Sequence, residues 1–336
     1  MYADQVQVKN MDHSDETKVT VLCFAYNQSS YIKQCLKSLV SQITNFEFKI
    51  VVHDDASTDG TREIIEEFAS TYPSLVKPIF QKINQYSQNT SLLHLVEPYL
   101  EGEYVAFCEG DDYWLDVYKL QKQFDYLESH PSCSLSAHGA ELYHDPTQSV
   151  IGYARPSLQE TDFSVEEIIL GGGGFFATNS LFFRREFFKM PLAYLGWGVG
   201  DYPRCIYLAT KGTVHFFPDI MSSYRMLALG SWSSKTKADK RLKINEHEQI
   251  IAGLEKADRI TAFRFHNAFT KEINRRRLVV LKLRGDWAVI AQNKLYAECS
   301  KGEKVITWLD VKHPQIAELL RSFYLAFSRL FADSSR

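Results

Sequence analysis

No run of about 18 apolar residues occurs anywhere in the chain, so no segment is expected to cross a bilayer as a helix. Asp4, Lys9, Asp12, Asp15 and Glu16 interrupt the N-terminal stretch, which excludes the apolar core of a secretory leader there. The cysteines Cys23, Cys35, Cys108, Cys133, Cys205 and Cys299 show no C-x-x-C spacing. Several fall in expected strands or helix interiors, so buried free thiols in a reducing, cytoplasmic setting are expected rather than disulfides or a zinc centre. Gly171 to Gly174 form a run of glycines, but the Lys-Ser/Thr of a phosphate-binding P-loop does not follow. A mobile loop or a close backbone approach is expected there instead. The formal net charge of -3 carries no basic footprint, which excludes general nucleic-acid binding. Internal repeats and low-complexity tracts are absent.

What is present is ordinary globular material, 45% hydrophobic and 24% charged over 336 residues, enough for one large domain with an appendage. Val19–Phe24 reads as a first strand, and Ile32, Leu36, Leu39, Val40 and Ile43 follow helical spacing behind a Ser29 or Ser30 cap. Phe48–Val52 is a second strand, Ile64, Ile65 and Phe68 mark a second helix, and Val76–Phe80 is a third strand, short or at an edge because of Pro78. Tyr104–Phe107 is the fourth. Strand alternating with helix argues for a parallel sheet with right-handed crossovers. An amphipathic helix over Lys119–Ser129 follows, then a hairpin around Asp145-Pro146, a capping box at Ser164–Glu167 and a strand at Leu181–Phe183. Tyr202–Thr210 reads as a helix, and Thr213–Phe217 and Met221–Tyr224 as separate strands. Beyond residue 230, Leu242–Leu254, Phe265–Leu283, Trp287–Ala297 and Ile316–Phe331 carry helical spacing. Arg275, Arg276, Arg277, Lys282 and Arg284 form a basic cluster there; a solvated helix face is the default, and an anionic membrane surface the sharper alternative.

Acidic residues punctuate this frame. Asp54-Asp55 ends the second strand and Asp111-Asp112 the fourth, so both pairs are expected at the C-terminal edge of one sheet, where open α/β sheets bind ligands. Adjacent carboxylates repel, and a site that keeps both ionised usually shares a cation; oxygen-rich sites suit Mg²⁺ or Mn²⁺. A solvated acidic turn is the plain alternative for either pair alone. Asp201 opens a helix after a Gly- and Trp-rich loop, where it could act as a cap or as a base.

The motifs Val19-Thr20-Val21-Leu22-Cys23-Phe24-Ala25-Tyr26-Asn27, Val51-Val52-His53-Asp54-Asp55-Ala56-Ser57-Thr58-Asp59-Gly60-Thr61 and Glu103-Tyr104 through Asp112 resemble, in order, those of the family 2 glycosyltransferases. The resemblance covers roughly residues 18–228. It implies a GT-A fold: a mostly parallel nucleotide-binding sheet with flanking helices, followed here by a C-terminal helical appendage over 229–336 and preceded by a polar tail over 1–17. The implied activity is transfer from a nucleotide-sugar donor to a hydroxyl of a glycan or lipid-linked glycan acceptor, with inversion, assisted by Mn²⁺ or Mg²⁺. Carried over by position, Tyr26 and the backbone around Phe24 line the base pocket and Asp55 accepts from the base, most often uracil. Asp111 approaches the ribose, Asp112 ligates the metal, and Asp201 is the catalytic base.

Two departures stand out. Gln85 follows Asn84 where the family commonly has Gly. Tyr224-Arg225-Met226-Leu227 lacks the His of the common Tyr-Arg-x-His. A nucleotidyltransferase would carry a Gly- and Lys/Arg-rich phosphate loop, and Val21–Gln28 has neither. A non-catalytic nucleotide-sugar-binding scaffold is the remaining rival, and retention of Asp55, Asp111, Asp112 and Asp201 together argues against it.

Overall fold

The computed structural model describes residues 16–88, 90–229, 239–285, 287–297, 301–313 and 315–317. The first strand, β1 (Thr17–Ala25), lies between two parallel neighbours, β2 (Glu47–Asp54) on one side and β4 (Tyr104–Glu109) on the other, while β3 (Val76–Phe80) pairs with β2 at the edge. Helices α1 (Ile32–Val40) and α2 (Thr61–Thr71) are the crossovers. Their apolar faces, Ile32, Cys35, Leu36 and Leu39 from α1 and Ile65 and Phe68 from α2, join Val19, Val21, Ile50 and Val52 in one buried cluster. Before β4, α3 (Leu92–Val96) passes into a 3₁₀ turn that contains Pro98.

Beyond β4 the sheet becomes mixed. Its order is β3-β2-β1-β4, then β9 (Phe182–Arg184), β6 (Cys133–His144), β10 (Thr213–Met226) and β5 (Tyr113–Trp114), with β7 (Ser149–Ala154) added to β6 and β8 (Thr161–Phe163) to β10. The short β5 (Tyr113–Trp114) leads to α4 (Lys119–Ser129), and β6 (Cys133–His144) makes the expected hairpin with β7 (Ser149–Ala154). After β8 (Thr161–Phe163), Ser164 and Glu167 close a reciprocal capping box on α5 (Val165–Gly171), as the sequence indicated. Gly172–Gly174 continue as a 3₁₀ turn, so the glycine run is helical rather than a loop. A Cβ at Gly171 would fall 2.2 Å from the Phe175 ring, which accounts for a glycine there. Short β9 (Phe182–Arg184) runs antiparallel between β4 and β6; α6 (Asp201–Ala209) and β10 (Thr213–Met226) follow. The two strands expected over 213–224 are one, bent where the register shifts between Phe217 and Ile220 beside Pro218.

The 133–141 stretch of β6 escaped sequence pattern. Ser134, Ser136 and His138 are buried in it and break the apolar run. Each finds an internal partner, though His138 Nε2 stays unpaired: Ser134 donates to the Leu208 carbonyl, Ser136 meets Gln123, and His138 Nδ1 meets the Gly139 carbonyl.

The chain divides into two compact units. One runs through Leu192 and resumes at Gly200; the other comprises Ala193–Val199 and the helices from Asp239 on. The second unit pairs α7 (Lys240–Ile260) with α8 (His266–Arg284), followed by helices over Trp287–Gln292, Lys294–Ala297 and Lys301–Lys312. Of the helix expected over Ile316–Phe331, only Ile316 and Ala317 fall among the described residues. Within this unit Trp197 is fully buried, and a Cβ at Gly253 of α7 would lie 2.3 Å from its indole. Gly253→Val should therefore overpack the unit by about 1–3 kcal/mol, read as a lower urea midpoint; an unchanged midpoint would show that the indole is not wedged there.

The basic cluster is charge-compensated. Glu272 pairs with both Arg275 and Arg276 at 2.7 Å, Arg277 with Glu255, Arg284 with Glu248 and Lys282 with Asp310. These pairs tie the cations to acids of the same or neighbouring helices, while Arg275, Arg277 and Arg284 stay half-exposed.

Candidate active site

Parallel strands end together, and that brings the acidic motifs to one edge. Ala25 is in register with Asp54, and Phe24 with Glu109. The ladder runs one step further, with the Asp55 N–H donating to the Ala25 carbonyl and the Gly110 N–H to the Phe24 carbonyl, each at 2.9 Å. Gly110 has no room for a side chain: a Cβ would stand 2.4 Å from Gln28 Oε1 and 2.9 Å from Ile32.

The rest of the second motif is framework. Asn27 takes a left-handed turn (φ 51°), its N–H donating to Ser57 Oγ while its Oδ1 accepts from the Thr58 N–H. Thr61 Oγ1 accepts from the Gln28 N–H and Asp59 from the Ser29 N–H. These bonds fix the loop that carries Tyr26, whose ring is 44% exposed at the edge. The Phe24 ring packs on His53 and Phe107, and its carbonyl is spent on Gly110, so its contribution to the edge is backbone shape. Asp55 is 2% exposed. Its two oxygens accept from the backbone amides of Gln85 at 2.7 Å and Tyr86 at 3.0 Å, so the segment that departs from the family pattern is held by Asp55 itself. Tyr86, 62% exposed, is a second aromatic ring near this carboxylate that the sequence reading passed over.

On the other side of β1 the carboxylates crowd. Asp112 is 1% exposed, with Oδ1 accepting from the Arg225 N–H at 2.7 Å and Oδ2 from Asn179 Nδ2 at 3.0 Å. Arg225 donates from Nε to the Asp111 carbonyl, from Nη1 to Asp145 and from Nη2 to Gln34. Its guanidinium lies 4.8–5.5 Å from the ring centres of Tyr31, Tyr113 and Tyr143, a cationic clamp across α1, the β4 turn and the β6–β7 hairpin. Asp201 begins α6, its Oδ1 accepting from the Tyr202 N–H at 2.7 Å and its Oδ2 from Thr178 Oγ1 at 3.3 Å.

Electrostatics bring these groups into one cluster. Burial, then Asp111 and Asp201, push the Glu109 carboxyl up to about 8. Burial, then Asp111 and Glu109, hold Asp112 well above the carboxylate range, and burial raises Asp111 and Asp201. Asp201 thus stands within electrostatic reach of the β4 carboxylates, whereas Asp55 and Tyr26 lie at the β1–β2 end. Among the described residues no three His, Cys, Asp or Glu side chains close on a single metal position. The donor set nonetheless suits a divalent ion, because crowded carboxylate oxygens, offset here only in part by Arg225, are what such ions relieve.

Glu109, Thr178, Asn179 and the Arg225 side chain escaped the sequence reading. Glu109 was legible in Glu109-Gly110-Asp111-Asp112 as a third acid. Thr178 and Asn179 left no local signal, since their partners lie far along the chain.

The Glycosyl transferase family 2 profile matches residues 20–189. An uncharacterized protein of Mycobacterium tuberculosis is 32% identical over 220 residues, which cover 64% of this chain and 61% of that relative. The UDP-Glc:alpha-D-GlcNAc-diphosphoundecaprenol beta-1,3-glucosyltransferase WfaP of Escherichia coli is 30% identical over 111 residues, 33% of this chain and 41% of that protein. Among solved structures, the mannosyltransferase PcManGT of Pyrobaculum calidifontis in complex with GDP-Man and Mn²⁺ superposes with a TM-score of 0.56 at 17% identity, over 96% of this chain and 90% of that one. That likeness is one of fold, the α/β GT-A arrangement the motifs implied.

Proposed function

Because the chain belongs to glycosyl transferase family 2, we propose that it moves a sugar from a nucleotide-sugar donor, a UDP-sugar in the first instance, to a hydroxyl of a glycan or lipid-linked glycan acceptor, inverting the anomeric carbon. The observation that carries this reading is the sheet edge shared by Tyr26, Asp55, Glu109, Asp111 and Asp112, with Asp201 at the start of α6 within electrostatic reach of Glu109. The base would lie against Tyr26, with Asp55 and the Gln85–Tyr86 amides setting the edge it meets. Asp111 would face the ribose and diphosphate side. Asp111 and Asp112 would hold Mn²⁺ or Mg²⁺, which when bound supplies Lewis-acid stabilisation of the charge left on the diphosphate. Asp201 takes the proton of the attacking hydroxyl, and its Thr178 and Tyr202 hydrogen bonds aim the carboxylate. The E. coli relative, named for a UDP-Glc donor and a diphosphoundecaprenol-linked acceptor, favours polysaccharide assembly as the setting.

A cytoplasmic location fits the free, buried thiols of Cys23, Cys35, Cys108, Cys133 and Cys205. Among the described residues no helix is long and apolar enough to cross a membrane.

A panel of UDP-, GDP- and dTDP-sugars with Mn²⁺, scored for nucleotide release, tests the reading. Slow hydrolysis of one donor is the expected result and names it even without the acceptor. Tight UDP binding with release from no donor would instead make this a nucleotide-sugar-binding protein.

A further inference from the structure

Thr178 and Asn179 sit in a 3₁₀ turn, Thr178–Ser180, between α5 and β9. Asn179 is fully buried and every polar atom of its side chain is used. Nδ2 donates to Asp112 Oδ2 and to the Ser223 carbonyl, each at 3.0 Å, and Oδ1 accepts from Ser222 Oγ at 2.7 Å. Its backbone carbonyl accepts from the Trp114 indole at 3.0 Å. The preceding residue turns the other way: Thr178 Oγ1 donates to Asp201 Oδ2. The turn itself is pinned by Gln123, which donates to the Ser180 carbonyl, and by Ser180 Oγ, which donates to the Ala177 carbonyl. Two neighbouring side chains on one anchored turn therefore hold two carboxylates that come from distant parts of the chain.

We propose that Thr178 and Asn179 are the positioning pair of this site, Asn179 fixing the donor-side carboxylate Asp112 and Thr178 the acceptor-side carboxylate Asp201, so that one short turn sets the spacing between them. The proposal rests on the roles given above to Asp112 and Asp201. Neither residue touches the reacting atoms; each acts through the carboxylate it holds. A hydroxyl donating to Asp201 stabilises the charged form, so it also sets the pH at which that group becomes a base. The groups facing Asp201 are Glu109 from β4, Tyr224 from β10, Cys205 from α6 and the Tyr202 amide. All of them remain in a Thr178 variant.

The test uses the full chain with Thr178→Val, Thr178→Ser, Asn179→Ala and Asn179→Ser, with Asp201→Asn alongside. Probes are Mn²⁺ alone, UDP with and without Mn²⁺, carbon-13 NMR titration of the Asp201 carboxyl, and nucleotide release from whichever donor the panel selects. Thr178→Val should raise the Asp201 titration midpoint and lower turnover about tenfold, the scale of one hydrogen bond to a charged group, with UDP affinity unchanged; Thr178→Ser should restore both. Asn179→Ala should weaken Mn²⁺ binding and the Mn²⁺-dependent part of UDP affinity by about 10-fold or more, as losing a group that orients a ligand does, while metal-free UDP affinity stays at the parental value. If Asn179→Ala does not fold, Asn179→Ser, which keeps a polar group in the cavity, carries the same readout. A parental Asp201 titration in Thr178→Val, or parental Mn²⁺ binding in the folded Asn179 variant, overturns the proposal. An inactive Asp201→Asn beside a fully parental Thr178→Val would defeat the positioning role and leave the base in place. Parental turnover in Asp201→Asn would defeat the base reading instead.

Discussion

Asp201→Asn should fold, bind UDP as the parent does and lose about 100-fold or more of its turnover, the range that a general base contributes. Asn is nearly isosteric. Its Oδ1 can still accept from the Tyr202 N–H, and its Nδ2 can donate to Thr178 Oγ1, so α6 keeps its start. What is lost is a group able to take a proton from the acceptor hydroxyl. A loss confined to turnover marks an interaction made in the transition state rather than in ground-state binding. The pH profile adds a second reading. Burial raises the Asp201 pKa, and the base must be ionised to work. The parental rate should therefore climb with pH through a midpoint above that of an ordinary carboxylate, and this limb should vanish in Asp201→Asn. Melting temperature, UDP affinity and single-turnover rate on one preparation decide the matter. Near-parental transfer by the variant would reduce Asp201 to the first residue of a helix.

Asp112→Asn should cost both activity and stability, and the two losses have different causes. The new amide can accept from the Arg225 N–H through Oδ1, but its Nδ2 then faces Asn179 Nδ2 where the native oxygen stood at 3.0 Å. Rotating Asn179 to relieve this turns its oxygen onto the Ser223 carbonyl. One buried donor or acceptor is left unpaired either way, a penalty of about 1–3 kcal/mol. Removing the charge also weakens the carboxylate set proposed for Mn²⁺, so the metal-dependent part of UDP affinity should fall. Asp111→Asn separates the causes. Its carboxylate is raised by burial and lacks the Asn179 tie, so neutralising it should lower metal-assisted affinity while leaving the urea midpoint near the parent. Calorimetry with and without Mn²⁺, beside urea unfolding, reads both effects. An Asp112→Asn protein with the parental midpoint and parental Mn²⁺ enhancement would show that this carboxylate neither anchors the turn nor serves the metal.

The C-terminal helices were legible because α7 and α8 carry long periodic patterns; α8 matches expectation to within a residue at each end, while α7 runs on from the expected Leu254 to Ile260. The helix over Lys301–Lys312 was not foreseen. The basic stretch at Arg275–Arg277 was legible as charge, and Glu272 was within reach at three and four residues along the same helix, but Glu255 and Glu248 became visible as partners of Arg277 and Arg284 only once the helices pair. The 133–141 stretch of β6 was missed for the opposite reason: its serines and histidine look exposed until their buried partners are known.

By itself the sequence determined the parallel half of the sheet. Strands β1, β2 and β4 are short apolar runs whose ends are marked by Tyr26, Asp54-Asp55 and Asp111-Asp112, and parallel pairing must bring such ends to one edge. Local pattern sufficed because each strand announces itself within a few residues. Tertiary structure alone decided how that edge is held. Asn179 reaches Asp112 across 67 positions, Thr178 reaches Asp201 across 23, and Arg225 reaches the Asp111 carbonyl across 114. Nothing local distinguishes an Asn, a Thr or an Arg that will be buried from one that will be solvated. Burial makes an unpaired polar group costly, so these side chains acquire their partners, and their meaning, only when the mixed half of the sheet closes against the parallel one.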